Sequence, residues 1–187
     1  MIKINQPAPA FSATAYQNEE FKRVCLSDFK EKWVILFFYP ADFTFVCPTE
    51  LGGLADHYEE FKKLGAEILC VSCDTEFVHK AWHDNSETIK KVSFPMIADP
   101  TRKMCRDYET LIEDEGLSFR ATFIIDPDGV LKSMEMNANN VGRSTKELLR
   151  KMKALQFVRK NNGQVCPIDW EEGEKTLTNG IDQVGKI

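Results

Sequence analysis

Residues 33–39, WVILFFY, restrict the fold of this chain more than any other stretch. Consecutive apolar residues leave no polar face, so a strand built from them must be covered on both sides. The run is also far too short to cross a bilayer. A second apolar strand, EILCV at Glu67–Val71, follows a segment in which Leu51, Leu54, Tyr58, Phe61 and Leu64 recur at helical spacing and Gly65 supplies a stop. Two buried strands joined by a helix are the unit of an α/β sheet with helices on its faces. Further along, the pattern predicts a helix from Phe77 to about Asn85, a short strand at Met96–Ala98 and a short helix at Arg102–Tyr108. Ala121–Ile125 and Val130–Met136 flank Asp126-Pro127-Asp128-Gly129, whose proline and glycine make a turn, so this pair is a hairpin. Ser144 and Glu147 fit a capping box for a last helix with Leu148, Leu149, Met152, Leu155 and Val158 on its apolar face.

The order of these elements predicts a three-layer α/β domain of thioredoxin-like type, with a central mixed sheet, over residues 1–160. Residues 161–187 lose apolar periodicity and read as an extended C-terminal tail, lying over the domain or over a partner. A length of 187 residues is enough for one such domain with a full core. The net charge of -5, with no basic stripe, argues against a nucleic-acid partner. The N-terminal MIKINQPAPAF lacks the apolar stretch of a signal peptide, so the expectation is a cytoplasmic protein with no membrane partner.

Cys47 lies where the first buried strand gives way to a helix, in DFTFVCPTE. Pro48 suits the first helical position, because its missing N–H would have no partner there. Glu50 is favoured in a first turn by the positive helix end. Cys47 therefore sits at or next to an N-cap, under unpaired N–H groups, a setting that lowers a thiol pKa. Gly52 and Gly53 follow in the same helix, where each costs about 0.8–1.0 kcal/mol relative to alanine. Two readings of that pair stand open: close packing against a neighbour, or a helix start made easy to unwind.

The other cysteines divide into two groups. Cys70 and Cys73 have C-x-x-C spacing, but strand residues three apart lie roughly 10 Å apart and face opposite ways. A disulfide needs Cα atoms within about 7 Å, so the pair cannot close within a strand. A zinc site would need a second ligand pair, which neither the remaining cysteines nor His57, His79 and His83 offer at suitable spacing. Cys70, Cys73, Cys25 and Cys105 read as core packing. Cys166 differs, because it lies in NNGQVCPIDW in the aperiodic tail, where it is available to attack a distant sulfur.

At the position of the first cysteine of a thioredoxin-type C-x-x-C stands Thr44, so Cys47 has no local partner for dithiol exchange. A lone activated thiolate suits attack on an electrophile such as a peroxide, giving a sulfenic acid that condenses with a second thiol. Activation by pKa alone achieves little. Lowering a thiol from about 8.5 to about 6 raises its thiolate fraction at pH 7 roughly thirtyfold. Intrinsic nucleophilicity falls roughly 10–18-fold over the same interval. A fast peroxidase therefore needs placed donors for the O–O transition state. The candidates are the Thr44 hydroxyl, the first N–H groups of the helix and Arg120, at the head of RATFIID.

Pro40-x-x-x-Thr44-x-x-Cys47, within PADFTFVCPTE, resembles the peroxiredoxin active-site signature. Arg120 in FRATFIIDPDG resembles the second segment of that family, and Cys166 in GQVCPIDW its resolving-cysteine segment. The likeness runs from about Gln6 to Ile187, and the ending IDQVGKI points to typical 2-Cys peroxiredoxins of the alkyl hydroperoxide reductase type. This resemblance implies that Cys47 is the peroxidatic thiolate and Cys166 the resolving thiol of a partner subunit. It implies that Thr44 and Arg120 bind and polarise hydrogen peroxide or an organic hydroperoxide, that Pro40 shields the pocket, and that Glu50 and Arg143 orient Arg120. Neither metal nor organic cofactor is expected. Electrons are expected from a flavoprotein disulfide reductase or a thioredoxin, the assembly is expected to be a homodimer that builds a ring decamer, and the role is antioxidant defence. Two departures stand out. Cys70, Cys73 and Cys105 occupy positions where apolar, Thr or Ala residues are expected, which leaves side disulfides open. The Gly-Gly-Leu-Gly insertion and the Tyr-Phe C-terminal helix of oxidation-sensitive members are missing, and Gly52-Gly53-Leu54-Ala55 lies in the helix after Cys47. A dithiol exchange protein and an oligomeric holdase are the rival readings. The first would keep its activity in Cys166→Ser, the second in Cys47→Ser.

Overall fold

The computed structural model describes residues 1–185, and the last two residues of the IDQVGKI ending lie outside them. The chain divides into two compact units, Met1–Arg143 and Ser144–Ile187. In the first unit the strands β1 (Ser12–Gln17), β2 (Glu20–Cys25), β3 (Trp33–Phe38), β4 (Ala66–Ser72) and β5 (Met96–Ala98) come first. The two-residue strands β6 (Leu111–Ile112) and β7 (Leu117–Ser118) form a separate hairpin, and β8 (Arg120–Ile125) and β9 (Leu131–Asn137) complete the main sheet. Its order is β2-β1-β5-β4-β3-β8-β9. β3 is parallel to β4 and antiparallel to β8, so the sheet is mixed. With its flanking helices it matches the thioredoxin-like three-layer α/β fold expected from the sequence.

Every residue of β3 and of β8 is buried, as two-sided coverage of a central strand requires. Phe38, Tyr108 and Phe123 meet edge to face or tilted, with centroids 5.1–5.6 Å apart, and centre the core together with Leu36, Leu69 and Ile125. The hairpin of β1 and β2 is an element that the apolar pattern does not announce. Only Ala15, Tyr16 and Val24 of its strands are buried.

The helical segment after Cys47 is two helices, α1 (Cys47–Asp56) and α2 (Tyr58–Lys63), where the periodicity suggested one. His57 explains the break. Its Nδ1–H donates to the Gly53 carbonyl at 2.9 Å, the acceptor that a continuous helix would give to the His57 backbone N–H. That N–H bonds the Leu54 carbonyl instead. α3 (Glu76–Asn85) starts where Thr75 Oγ1 accepts the Val78 N–H, and α4 (Lys103–Asp107) is a single short turn.

The second unit holds α5 (Thr145–Lys160), β10 (Gln164–Val165) and β11 (Leu177–Thr178). Ser144 Oγ accepts the Glu147 N–H at 3.2 Å, the expected cap. The other half of the capping box does not form there, because the Glu147 carboxylate is taken by Arg150. The tail is more structured than its lack of periodicity suggests. β10 pairs with β11, and Trp170 is buried with its ring 5.0 Å from that of Phe157.

One glycine of the Gly52-Gly53 pair is explained by packing. A Cβ on Gly52 would lie 2.6 Å from Thr88 Cγ2, at the entry to the 3-10 turn Ile89–Lys91. Gly52→Ala is therefore expected to destabilise the protein by about 1–3 kcal/mol through overpacking. In a Thr88→Ser background, which removes that methyl, the same change should stabilise by up to about 1 kcal/mol. Urea midpoints of the four proteins in this cycle give the answer; an equal effect in both backgrounds would place the cause elsewhere.

Candidate active site

Three strand ends converge at one end of the sheet. Phe38, the last residue of β3, pairs with Val71 near the end of β4 and with Ala121 near the start of antiparallel β8. The register therefore brings Arg120, one residue before Ala121, beside the chain as it leaves β3. Tyr39 and Pro40 continue the buried path, and the chain turns through residues 41–46 into α1. Cys47 is the first residue of that helix and Pro48 the second, one position later than expected.

Cys47 is fully buried, and Arg120 reaches it. Arg120 Nη1 donates to Cys47 Sγ at 3.4 Å and to Glu50 Oε2 at 2.7 Å, while Nε donates to the Asn139 carbonyl at 2.9 Å. Cys47 and Glu50 are three residues apart on α1, so they share a face and meet the same guanidinium. Arg143 grips the other side of Glu50. Its backbone N–H and Nε donate to Oε1 at 2.7 and 2.9 Å, and Nη2 donates to Oε2 at 2.9 Å. Arg143 Nη1 also donates to the Ala121 carbonyl and Thr122 Oγ1, and its guanidinium carbon sits 3.3 Å from the centre of the Phe37 ring. Gly142 lets this loop come close, since a Cβ there would lie 3.3 Å from Val46 Cγ1. Burial pushes the Glu50 carboxyl up, but the hydrogen bonds and charge of Arg143, with the charge of Arg120, outweigh it and hold the carboxyl below its ordinary range. A cation is thus held against a buried sulfur by an anion that is itself fixed from two sides.

The loop ahead of Cys47 has its own fastening. Asp42 Oδ1 accepts the Tyr39 hydroxyl at 2.6 Å, and Oδ2 accepts His79 Nδ1–H at 2.7 Å. The other ring nitrogen of His79 lies 3.2 Å from the Ile97 carbonyl, so both nitrogens face acceptors and the imidazolium is the form that satisfies them. Burial pushes the His79 pKa down, but Asp42 outweighs it and the net shift is upward. The Asp42 N–H donates to Asp74 Oδ2 just beyond β4. Phe43 has a positive φ of 53°, unusual for an aromatic residue, and packs on Trp82. Sequence reasoning considered His79 only as a metal ligand and missed this network. Its signal is the three-residue spacing of His79 and Trp82 on the buried face of α3.

Thr44 lies in this loop with its hydroxyl donating to the Ala41 carbonyl at 3.0 Å, and Pro40 is buried two residues beyond β3. Cys166 lies in the second unit, half-buried, with Sγ 4.0 Å from the Ala154 carbonyl; burial pushes its thiol up and Arg150 opposes this. Cys70 Sγ donates to the Pro95 carbonyl inside the core, whereas Cys73 Sγ lies 3.6 Å from Cys105 Sγ. Among the described residues, the acidic and histidine side chains close enough to share a metal ion are Glu19, His83 and Asp84. The Lys80 ammonium already bridges both carboxylates at 3.0 and 2.9 Å, and both acidic residues are exposed. No helix among the described residues is long and apolar enough to cross a membrane.

Comparison with known proteins identifies the family. The model of the AhpC/TSA family matches residues 4–134, and that of the C-terminal domain of 1-Cys peroxiredoxin matches residues 154–185. Alkyl hydroperoxide reductase C of Escherichia coli K12 is 51% identical over 187 residues, covering 100% of both chains. The protein of the same name from Staphylococcus aureus Mu50 is 51% identical over 189 residues, again covering 100% of both. The crystal structure of Enterococcus faecalis AhpC superposes with a TM-score of 0.86 at 47% identity, covering 89% of this chain and 100% of that one. The reduced 2-Cys peroxiredoxin of Plasmodium vivax gives 0.92 at 33% identity, covering 96% and 94%. The chain therefore belongs to the AhpC/TSA family, among the typical 2-Cys peroxiredoxins of alkyl hydroperoxide reductase C type, and is an enzyme, a thiol peroxidase that works through cysteine sulfenic acid chemistry.

Proposed function

We propose that Cys47 is the peroxidatic cysteine, that it reduces hydrogen peroxide and organic hydroperoxides, and that its sulfenic acid is resolved by Cys166 of a partner subunit as an intersubunit disulfide. The observation that carries this reading is the Arg120 N–H aimed at the Cys47 sulfur, with Glu50 behind it. A fixed cation at that point complements negative charge on the sulfur and on the oxygen leaving during O–O cleavage. The Cys47 sulfur attacks the terminal peroxide oxygen, and the other oxygen leaves as water or an alcohol after taking up a proton. Thr44 would orient the peroxide once its hydroxyl turns from Ala41, and Pro40 would keep bulk water out. The Cys166 thiol then displaces water from the sulfenic acid. The oxidised protein would be reduced by a flavoprotein disulfide reductase or a thioredoxin. A cytoplasmic homodimer that assembles into a ring decamer is the form in which we expect it to act.

Cys47 has no exposed surface, so resolution requires the start of α1 to unwind. Glu50, clamped between Arg120 and Arg143, sets where unwinding stops. Only the turn before it has to open. Gly52 and Gly53 lie beyond that point, which argues against the unwinding reading of the pair.

One equivalent of hydrogen peroxide should convert the reduced protein to a dimer on a denaturing gel, reversed by dithiothreitol, with mass mapping of the bridge to Cys47 and Cys166. A monomeric product, or a bridge from Cys47 to any other cysteine, would overturn the assignment.

Arg120→Ala should slow sulfenic acid formation about ten- to a hundredfold, a loss of roughly 1.4–2.8 kcal/mol. Stopped-flow rates within twofold of the wild type would reduce Arg120 to a structural charge.

Gly53→Ala should leave the rate of disulfide formation within about twofold of the wild type. Were unwinding to run through Gly53, the propensity difference of about 0.8–1.0 kcal/mol would slow that step four- to fivefold. Stopped-flow fluorescence separates the disulfide step from oxidation of Cys47 and decides between the two.

A further inference from the structure

Cys73 and Cys105 lie apart from the Cys47 centre, and the fold brings them together. Cys73 is the first residue beyond β4, and Cys105 is the middle residue of α4. Their sulfurs are 3.6 Å apart, in van der Waals contact, and both thiols are free. One aspartate holds the two sides of this contact. The Asp99 N–H donates to the carbonyl of Ser72, the neighbour of Cys73, at 2.9 Å, and Asp99 Oδ2 accepts the Cys105 N–H at 2.8 Å. Both sulfurs are therefore positioned by backbone bonds from a single side chain and its own amide. Cys70 shows what a packing cysteine looks like here: it is fully buried, it donates to a carbonyl, and burial pushes its thiol up.

We propose that Cys73 and Cys105 form a second redox centre, a dithiol that closes to an intrachain disulfide when it meets a low-molecular-weight disulfide, independently of Cys47. The two sulfurs have unequal roles. Cys73 is half-buried and Cys105 is buried, so Cys73 is the one that an oxidant reaches. Either sulfur can donate across this contact; with Cys105 S–H as the donor, the bond holds the Cys73 thiol below its ordinary value against the effect of burial and pushes Cys105 up. Of the two sulfurs, the outer one is therefore the first to ionise.

The chemistry balances without a metal or a flavin. The Cys73 thiolate attacks one sulfur of the small disulfide, forming a mixed disulfide and expelling one thiolate, which takes up a proton. Cys73 is then no longer a thiolate accepting from Cys105, and the Cys105 proton is free to pass to the leaving small thiolate. Cys105 loses its proton and attacks Cys73 Sγ, expelling the second small thiol. One small disulfide is reduced to two thiols, and two protein thiols become one disulfide. The sulfurs have to approach by about 1.5 Å, from 3.6 Å to a bond of about 2.05 Å.

The test uses Cys47→Ser protein, so that the outcome does not depend on the role given to Cys47. The reduced protein is exposed to oxidised glutathione, quenched in acid, alkylated and mapped by mass spectrometry without reduction. The expected product is a chain of monomer size that has lost two hydrogens, with the Cys73 and Cys105 peptides joined and no glutathione retained on Cys73. In Cys105→Ala on the same background, glutathione should remain on Cys73 as a stable adduct. Should that variant fail to fold, Cys73→Ser serves in its place, and it should abolish the bridge without any adduct on Cys105. Recovery of both cysteines alkylated in the Cys47→Ser protein, a lasting glutathione adduct on Cys73, or a bridge between other positions would overturn the proposal.

Discussion

The Glu50 carboxylate is the contact on which the site is built. It is buried between two guanidiniums, one on β8 and one on the loop that follows β9. Burying three charges is expensive in desolvation, and such a cluster persists only when nearly every donor and acceptor is matched. Here the matching is close. Arg143 spends four hydrogen-bonding groups on Glu50 and β8, and Arg120 divides its donors among Glu50, Asn139 and Cys47. Two cations against one carboxylate leave a positive remainder, and the nearest sulfur is that of Cys47. Removing Glu50 would leave two buried cations facing each other, a loss of about 3–5 kcal/mol by analogy with other broken buried pairs.

The strand register is what makes so local a cluster possible. Arg120 and Cys47 are far apart in sequence, but β8 begins where β3 ends because the two strands are antiparallel and in register from Val34↔Ile125 to Phe38↔Ala121. β4, parallel to β3, ends at the same edge and provides Asp74 for the loop. This part was legible in the sequence. WVILFFY and EILCV could be buried only as central strands, and the DPDG turn put RATFII at the head of a hairpin. Cys47 and Arg120 could accordingly be named from pattern and chemistry together.

Other parts were not legible, for identifiable reasons. The turn between β1 and β2 is Asn18-Glu19, both with positive φ, so it has the geometry of a tight hairpin without the glycine that usually signals one. Of the strands on either side, β2 is largely exposed and β1 only partly buried, and neither shows clean alternation. Helical periodicity ran through His57 because nothing in spacing reveals that a side chain will replace its own backbone N–H. The Asp42–His79 pair and the Cys73–Cys105 contact join residues from different elements, and only the packing of α3 and α4 against the sheet brings them together. C-x-x-C spacing drew attention to Cys73 but pointed to the wrong partner, since Cys70 stays in the strand while Cys73 has left it.

The geometry around Cys47 also limits how a buried sulfur can be both protected and delivered. A sulfur with no exposed surface cannot meet another sulfur until its own turn of helix lets go. What holds that turn is uneven. Val46 caps it without a side-chain hydrogen bond, Pro48 offers no N–H, and the Arg120 contact to sulfur, at 3.4 Å, is the longest in the cluster. One turn on, Glu50 is held by four hydrogen bonds of 2.7–2.9 Å. Helix starts fray where caps are weak and stop fraying where a side chain is pinned. Cys47 is on the loose side of that boundary and Glu50 on the tight side. On the proposed role of Cys47, the cation would therefore stay in place when the sulfur departs, still paired with Glu50 and Asn139, and the pocket for the next peroxide would not have to be rebuilt around a displaced arginine.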